Sequence, residues 1–213
     1  MSDGYLLPAE EVRRELAVSN SRFIACLAPV PSVEEAKAFV ARIRKEFADA
    51  THNVPAYLIG GGNSVIEYCS DDGEPSGTAG RPALAVLRGS GLGDIGVVVT
   101  RYFGGTLLGK GGLVRAYTEA TQLVVQAVSC ARRVTVHLVV LALPYPLLER
   151  VRLLATRHNG QITDETFAAD VTMTLRFPVD EFSDFQAALQ ELSSGSLQGE
   201  VVETTEMLVK VEG

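Results

Sequence analysis

Asp94-Ile95-Gly96-Val97-Val98-Val99-Thr100-Arg101-Tyr102-Phe103, continuing through Gly104-Gly105-Thr106-Leu107-Leu108-Gly109-Lys110-Gly111-Gly112 into Leu113-Val114-Arg115-Ala116-Tyr117, is the stretch from which the fold is read. A β-branched run ends in an aromatic pair, crosses a glycine-rich loop and enters an amphipathic pattern, which predicts strand, loop and helix. Each glycine in the loop carries a large entropic cost on folding. Two returns are open. The loop gives either backbone N–H groups for an anion at a helix N-terminus, with Arg101, Lys110 and Arg115 around it, or only a tight turn and close helix-strand packing.

Before this stretch, Val12–Val18 and Arg22–Ala28 have strand composition around the turn Ser19-Asn20-Ser21. Ser32 followed by Glu35 is a capping box for a helix carrying Ala36, Phe39, Val40, Ile43 and Phe47. Val54–Ile59 and Ser64–Cys69 form a second hairpin across Gly60-Gly61-Gly62-Asn63. The irregular loop Ser70–Pro82 follows, with Thr78 as the expected N-cap of a short helix. The helix of the opening stretch is expected from Leu113 to about Ser129.

After Arg132-Arg133 a strand (134–143), a helix ending at Asn159-Gly160 with Gly160 as C-cap, paired strands (161–168 and 170–177), a helix from Asp180 and a closing strand (197–211) give the order βαββαβ, the ferredoxin-like split unit. The fold class is therefore α+β, in two domains, 1–132 and 133–213.

Composition narrows the function classes. The chain has 213 residues, 46 % hydrophobic and 21 % charged, ordinary values for a globular protein. It has no apolar run of membrane-spanning length, and Met1-Ser2-Asp3-Gly4 does not open a signal peptide, so a cytoplasmic location without membrane partners is expected. Cys26, Cys69 and Cys130 lack CxxC spacing, and His52, His137 and His158 lack metal-ligand spacing. Neither a cofactor nor a metal is expected. Net charge is -7, divided as -1 over residues 1–132 and -6 over 133–213, which directs any nucleic-acid contact to the first part.

Two short motifs fall short of their families. Gly104 to Lys110 fits G-x-x-x-x-G-K, yet Gly111 stands where a phosphate loop needs Ser or Thr, and the expected sheet is antiparallel. Gly91 to Gly96 fits G-x-G-x-x-G but precedes a strand instead of following one. In the second loop, Asp71, Asp72 and Glu74 are either oxygen ligands for Mg²⁺ or Ca²⁺ or, by the favoured reading, turn residues bonding nearby backbone N–H groups.

Taken together, Asp72-Gly73-Glu74-Pro75-Ser76-Gly77-Thr78-Ala79-Gly80, Arg101-Tyr102-Phe103-Gly104-Gly105 and Leu108 to Tyr117 resemble the signature of the IMPACT family, in its bacterial branch, with Ser21-Arg22-Phe23 and Gly195-Ser196-Leu197 extending the likeness. The resemblance implies a first domain similar to the second domain of a small-subunit ribosomal protein and the fourth of elongation factor G, and a second similar to that factor's last domain. Eukaryotic relatives regulate translation through a protein partner recognised by an extra domain. For bacterial members the resemblance implies a nucleic-acid or ribosome association and no established reaction.

The expected function is that of a non-enzymatic, translation-linked factor, with RNA or the ribosome as partner. Its site is Arg101, Tyr102, Phe103, Gly104, Gly105, Gly109, Lys110, Gly111, Gly112 and Arg115, with Asp71, Asp72, Gly73, Glu74 and Thr78 as a second loop. Phosphate meets the cations and backbone, and Tyr102 or Phe103 stacks on a base. The rivals are an enzyme acting on a small phosphorylated or nucleotide substrate, which requires the two loops to converge, and a protein-interaction module.

Overall fold

The computed structural model describes residues 5–61 and 64–211. It divides the described chain into two compact units, 5–132 with 210–211, and 133–209. After the two-residue β1 (Leu7–Pro8), the first unit is built on β2 (Val12–Val18), β3 (Ser21–Pro29), β4 (His52–Gly61), β5 (Ser64–Cys69) and β6 (Ile95–Tyr102). Their spatial order is β2-β3-β6-β4-β5, and every pairing is antiparallel. The β2–β3 turn places Ser19 and Asn20 at φ 46° and 67°, the paired left-handed geometry of a two-residue hairpin. Gly62 and Asn63, within the second expected turn, lie outside the described residues.

Residues two apart on a strand share a face. Phe23, Ala25 and Leu27 of β3, Val54, Ala56 and Leu58 of β4, and Ile95, Val97 and Val99 of β6 enter one buried cluster, with α2 (Gly80–Gly89) and α3 (Gly109–Gln126) above it. Ile24, Cys26, Tyr57 and Val98 enter the opposite cluster, under α1 (Val33–Glu46). Both faces of β6 are therefore covered, the reason its run is apolar from Ile95 to Val99. The Ser32 hydroxyl accepts from the Glu35 N–H at 3.1 Å, as the capping pattern requires.

Two helix starts differ from the sequence expectation. Thr78 does not cap α2: its hydroxyl donates to the Pro75 carbonyl at 2.6 Å, and Asp71 instead accepts from Ala79 and Gly80. Short-range spacing favours Thr78, whereas a carboxylate arriving from eight residues upstream carries more charge to the helix N-terminus. Helix α3 begins at Gly109, four residues before Leu113. Gly111 and Gly112 thus lie in its first turn. Their poor helix propensity is overridden by packing of Leu113, Ala116 and Tyr117 against the sheet.

The second unit takes up most of β7 (Cys130–Leu143), then a 3-10 turn (Tyr145–Leu147), α4 (Leu148–Arg157), β8 (Gln161–Phe167), β9 (Val171–Pro178), α5 (Val179–Leu192) and β10 (Glu200–Lys210). β9 lies between β7 and β8, and β10 pairs with the other side of β7. Val139, Leu141, Met173, Leu175 and Phe177 meet Val151, Phe185 and Leu189 in its core.

At the end of α4, Asn159, not Gly160, takes the left-handed conformation (φ 56°). Gly160 donates to Ala155 at 2.8 Å and is small for a different reason: a Cβ there would lie 2.2 Å from the Phe177 ring. That ring is held by Phe185, 4.3 Å between centroids. Gly160→Ala should therefore cost about 1–3 kcal/mol through overpacking, read as a lower midpoint in urea unfolding. Asn159→Gly should leave stability unchanged or slightly higher, since glycine tolerates the left-handed region.

Candidate functional site

Strand parity places Arg101 on the α2/α3 side of the sheet and its neighbour Tyr102 on the α1 side. Arg101 is 5 % exposed. A charge so placed needs a partner, and Glu74 of the 70–79 loop supplies it at 2.7 Å. The same Glu74 oxygen accepts from the Tyr117 hydroxyl of α3 at 2.8 Å. Burial, with the Glu74 charge beside it, pushes the Tyr117 phenol well up, so it remains a donor. The guanidinium is 5.5 Å from the centres of the Phe23 and Phe103 rings, and Tyr117 meets Phe23 edge-on at 5.3 Å.

Both loops are shaped by side chains answering backbone groups. Asp71 accepts from Gly77, Ala79 and Gly80, at 2.7, 3.1 and 2.9 Å. Asp72 accepts from the Asn53 N–H at 2.7 Å and from Arg44 at 2.5 Å. Their oxygens are engaged in the manner of a turn, and among the described residues no group of three His, Cys, Asp or Glu is placed to hold a metal ion. In the glycine loop, a Cβ on Gly104 would lie 1.9 Å from the Asn20 carbonyl oxygen, so only glycine fits. Gly105 and Gly109 bracket the loop tip at φ 83° and 67°. The Ser21 hydroxyl receives the Gly104 N–H at 3.2 Å, and Thr51 Oγ1 receives that of Phe103 at 3.0 Å.

The two loops converge on a cavity of about 410 Å³. Gly73, Glu74 and Pro75 line it from one loop, and Phe103, Leu107, Gly109 and Lys110 from the other, with Arg101 and Leu113 at its base. His52 joins them. Its Nδ1 lies 2.7 Å from the Asp72 carbonyl oxygen, an acceptor, so Nδ1 carries the proton. Its Nε2 lies 3.9 Å from the second Glu74 oxygen. The first turn of α3 has no side-chain cap. Among the described residues neither Lys110 nor Arg115 forms an ion pair.

Other expected site residues lie elsewhere. Tyr102 donates to Asp49 at 2.8 Å on the opposite face of the sheet. Arg115 and Gly112 line a separate hollow of about 270 Å³ with Ser19 and Glu119. Gly111 sits in the α3 turn beside Lys110, and Thr78 faces Pro75. Sequence reasoning missed His52, Thr51, Ser21 and Tyr117. Only the strand parity of Arg101, which demands a buried counter-charge, pointed toward such a cluster.

Two signature loops thus meet over a buried Arg-Glu pair on an antiparallel sheet covered on both faces, and similarity to known proteins identifies the family. Residues 19–125 match the family model of the Impact N-terminal domain, and residues 141–196 match a domain of unknown function, DUF1949. The chain belongs to the IMPACT family. It is similar to the IMPACT family member YigZ of Escherichia coli K12, 39 % identical over 92 % of this chain and 97 % of that protein. It is also similar to a family member of Haemophilus influenzae, 37 % identical over 95 % of this chain and 98 % of the relative. A solved structure described only as that of a hypothetical protein superposes with TM-score 0.62 at 38 % identity, covering 95 % of this chain and 99 % of the other.

Arg101→Ala should cost about 3–5 kcal/mol by stranding the Glu74 carboxylate, and Tyr117→Phe about 1 kcal/mol, both read in urea unfolding at neutral pH. Asp71 gives a pH signature. Burial works against its charge, but the donors Gly77, Gly80 and Ala79, with Arg81 nearby, outweigh it and hold the carboxyl below its usual range. A folded-state pKa below the unfolded one means stability present above the unfolded value, about 3.9, and lost as pH falls through the folded one. The gap between the native chain and Asp71→Asn should therefore be full at pH 6 and close as the pH falls below about 4.

Proposed function

We propose that this chain is a translation-linked, RNA- or ribosome-associated factor that contacts phosphate through the glycine loop of its first domain. The observation that carries the reading is the surface around that loop: an uncapped helix N-terminus, Lys110 at the cavity and Arg115 at the neighbouring hollow, neither in an ion pair among the described residues, and a half-exposed aromatic ring. Lys110, Arg115 and the first N–H groups of α3 meet phosphate, and Phe103 supplies a face for a base. Arg101 acts from beneath: with Glu74 as partner, it holds Phe103 and the loop in place. The family resemblance extends the proposal to a first domain like those of a ribosomal protein and elongation factor G, a ferredoxin-like second domain, and a cytoplasmic site of action.

One observation favours a second reading, an enzyme for a small phosphorylated or nucleotide substrate. The two loops do converge, with His52 Nε2 and Glu74 beside one cavity, an arrangement able to move a proton at a bound phosphate ester. A protein-interaction role would instead use the acidic second domain.

A salt-series titration of single-stranded RNA and ribosomal subunits against the native chain and Lys110→Ala/Arg115→Ala separates these. The binding reading expects a plot of log affinity against log salt that is shallower for the variant by about 1.4, at about 0.7 per lost contact on a single strand. Unchanged affinity and slope remove the loop from the interface.

A further inference from the structure

We infer that the cavity between the two loops receives one phosphorylated nucleoside, as a free mononucleotide or as the phosphate-bearing end of an RNA. This rests on the phosphate-binding reading above and names its ligand. The cavity has a buried floor. At its base Arg101, Glu74 and Leu113 are 5 %, 7 % and 6 % exposed, while at its mouth Phe103 and Leu107 are 45 % and 87 % exposed. Its volume lies toward the small side of ligand pockets, about 300–1,000 Å³.

The lining offers both parts of such a ligand their chemistry. The first turn of the 18-residue α3, exposed and without a side-chain cap, and the exposed Lys110 bring N–H groups and a cation to the rim. Phe103 and Leu107 bring aromatic and aliphatic surface beside them. A separate observation points to a missing acceptor. The Arg101 side chain is 7 % exposed, it lines the cavity, and within the described residues its Nε has no hydrogen-bond partner. Buried donors are nearly always satisfied, and one left alone costs about 1–3 kcal/mol. The Nε is itself covered, so a phosphate oxygen satisfies it once the side chains over it shift. Glu74 does not repel that phosphate strongly, because Arg101 and Tyr117 both address its charge. His52 adds a donor at Nε2 when protonated, its Nδ1 proton being already committed to Asp72. Phe103 takes the base on its open face while its other side rests on the Arg101 guanidinium.

The test titrates the full chain with AMP, inorganic phosphate and adenosine, followed by amide chemical shifts or calorimetry, and then with one RNA oligonucleotide bearing either a terminal phosphate or a terminal hydroxyl. AMP should bind at least tenfold more tightly than phosphate or adenosine. Phe103→Ala should bring AMP down to the level of phosphate, and Lys110→Ala should weaken AMP and phosphate alike by about tenfold. Both side chains are exposed, so the variants fold. If an RNA end is the natural occupant, the phosphorylated oligonucleotide binds more tightly than its hydroxyl form and AMP displaces it. If a free nucleotide is, AMP binds and the two oligonucleotides do not differ. AMP binding no better than phosphate overturns the inference. So does RNA that binds through Lys110 while AMP neither binds nor competes, an outcome that leaves the phosphate-binding reading standing.

Discussion

The buried pair between Arg101 and Glu74 is the constraint around which the first domain's surface is arranged. Strand β6 runs through the middle of the sheet with helices on both faces, and its alternation would carry an apolar residue into position 101. An arginine there is tolerated only with a compensating charge, which forces the 70–79 loop to return over the sheet and deliver Glu74 at 2.7 Å. Asp71 gives that loop its shape by gathering three N–H groups, and Tyr117 shares the Glu74 oxygen from α3. Strand, loop and helix are thereby tied at a single carboxylate.

The glycines of the neighbouring loop divide by cause. Gly104 has no room for a side chain, because Asn20 lies against it, whereas Gly105 and Gly109 have open space and instead take backbone conformations that other residues resist. Gly111 and Gly112 do neither to the same degree and weaken the first turn of α3. The result is a loop pinned at its start through Ser21 and Thr51 and freer toward Leu107, with the helix N-terminus left open beneath it.

Loop convergence brings the polar groups of the first domain's two loops to one place. Domains of this architecture host many activities, so the weight falls on the site. Here the site combines a helix N-terminus without a side-chain cap with a histidine whose ring is oriented by a carbonyl.

Periodicity and capping made most elements legible in the sequence: the hairpin at Ser19-Asn20, the Ser32 cap, the alternation in β9 and the βαββαβ order all rest on contacts a few residues apart or on a repeating hydrophobic face. The loops of the site were legible too, as concentrations of glycine and acid. Where α2 and α3 begin was not, because Asp71 reaches across eight residues and the packing of Tyr117 overrides two helix-weakening glycines. Nor was the choice between Tyr102 and Phe103, although parity held the clue. The meeting of Arg101, Glu74, His52 and Tyr117 was decided only by the tertiary structure. These residues are far apart along the chain and come from separate elements, and no local spacing encodes their contact. What joins them is the cost of leaving a buried charge alone, which is met only once the sheet and its helices have closed around it.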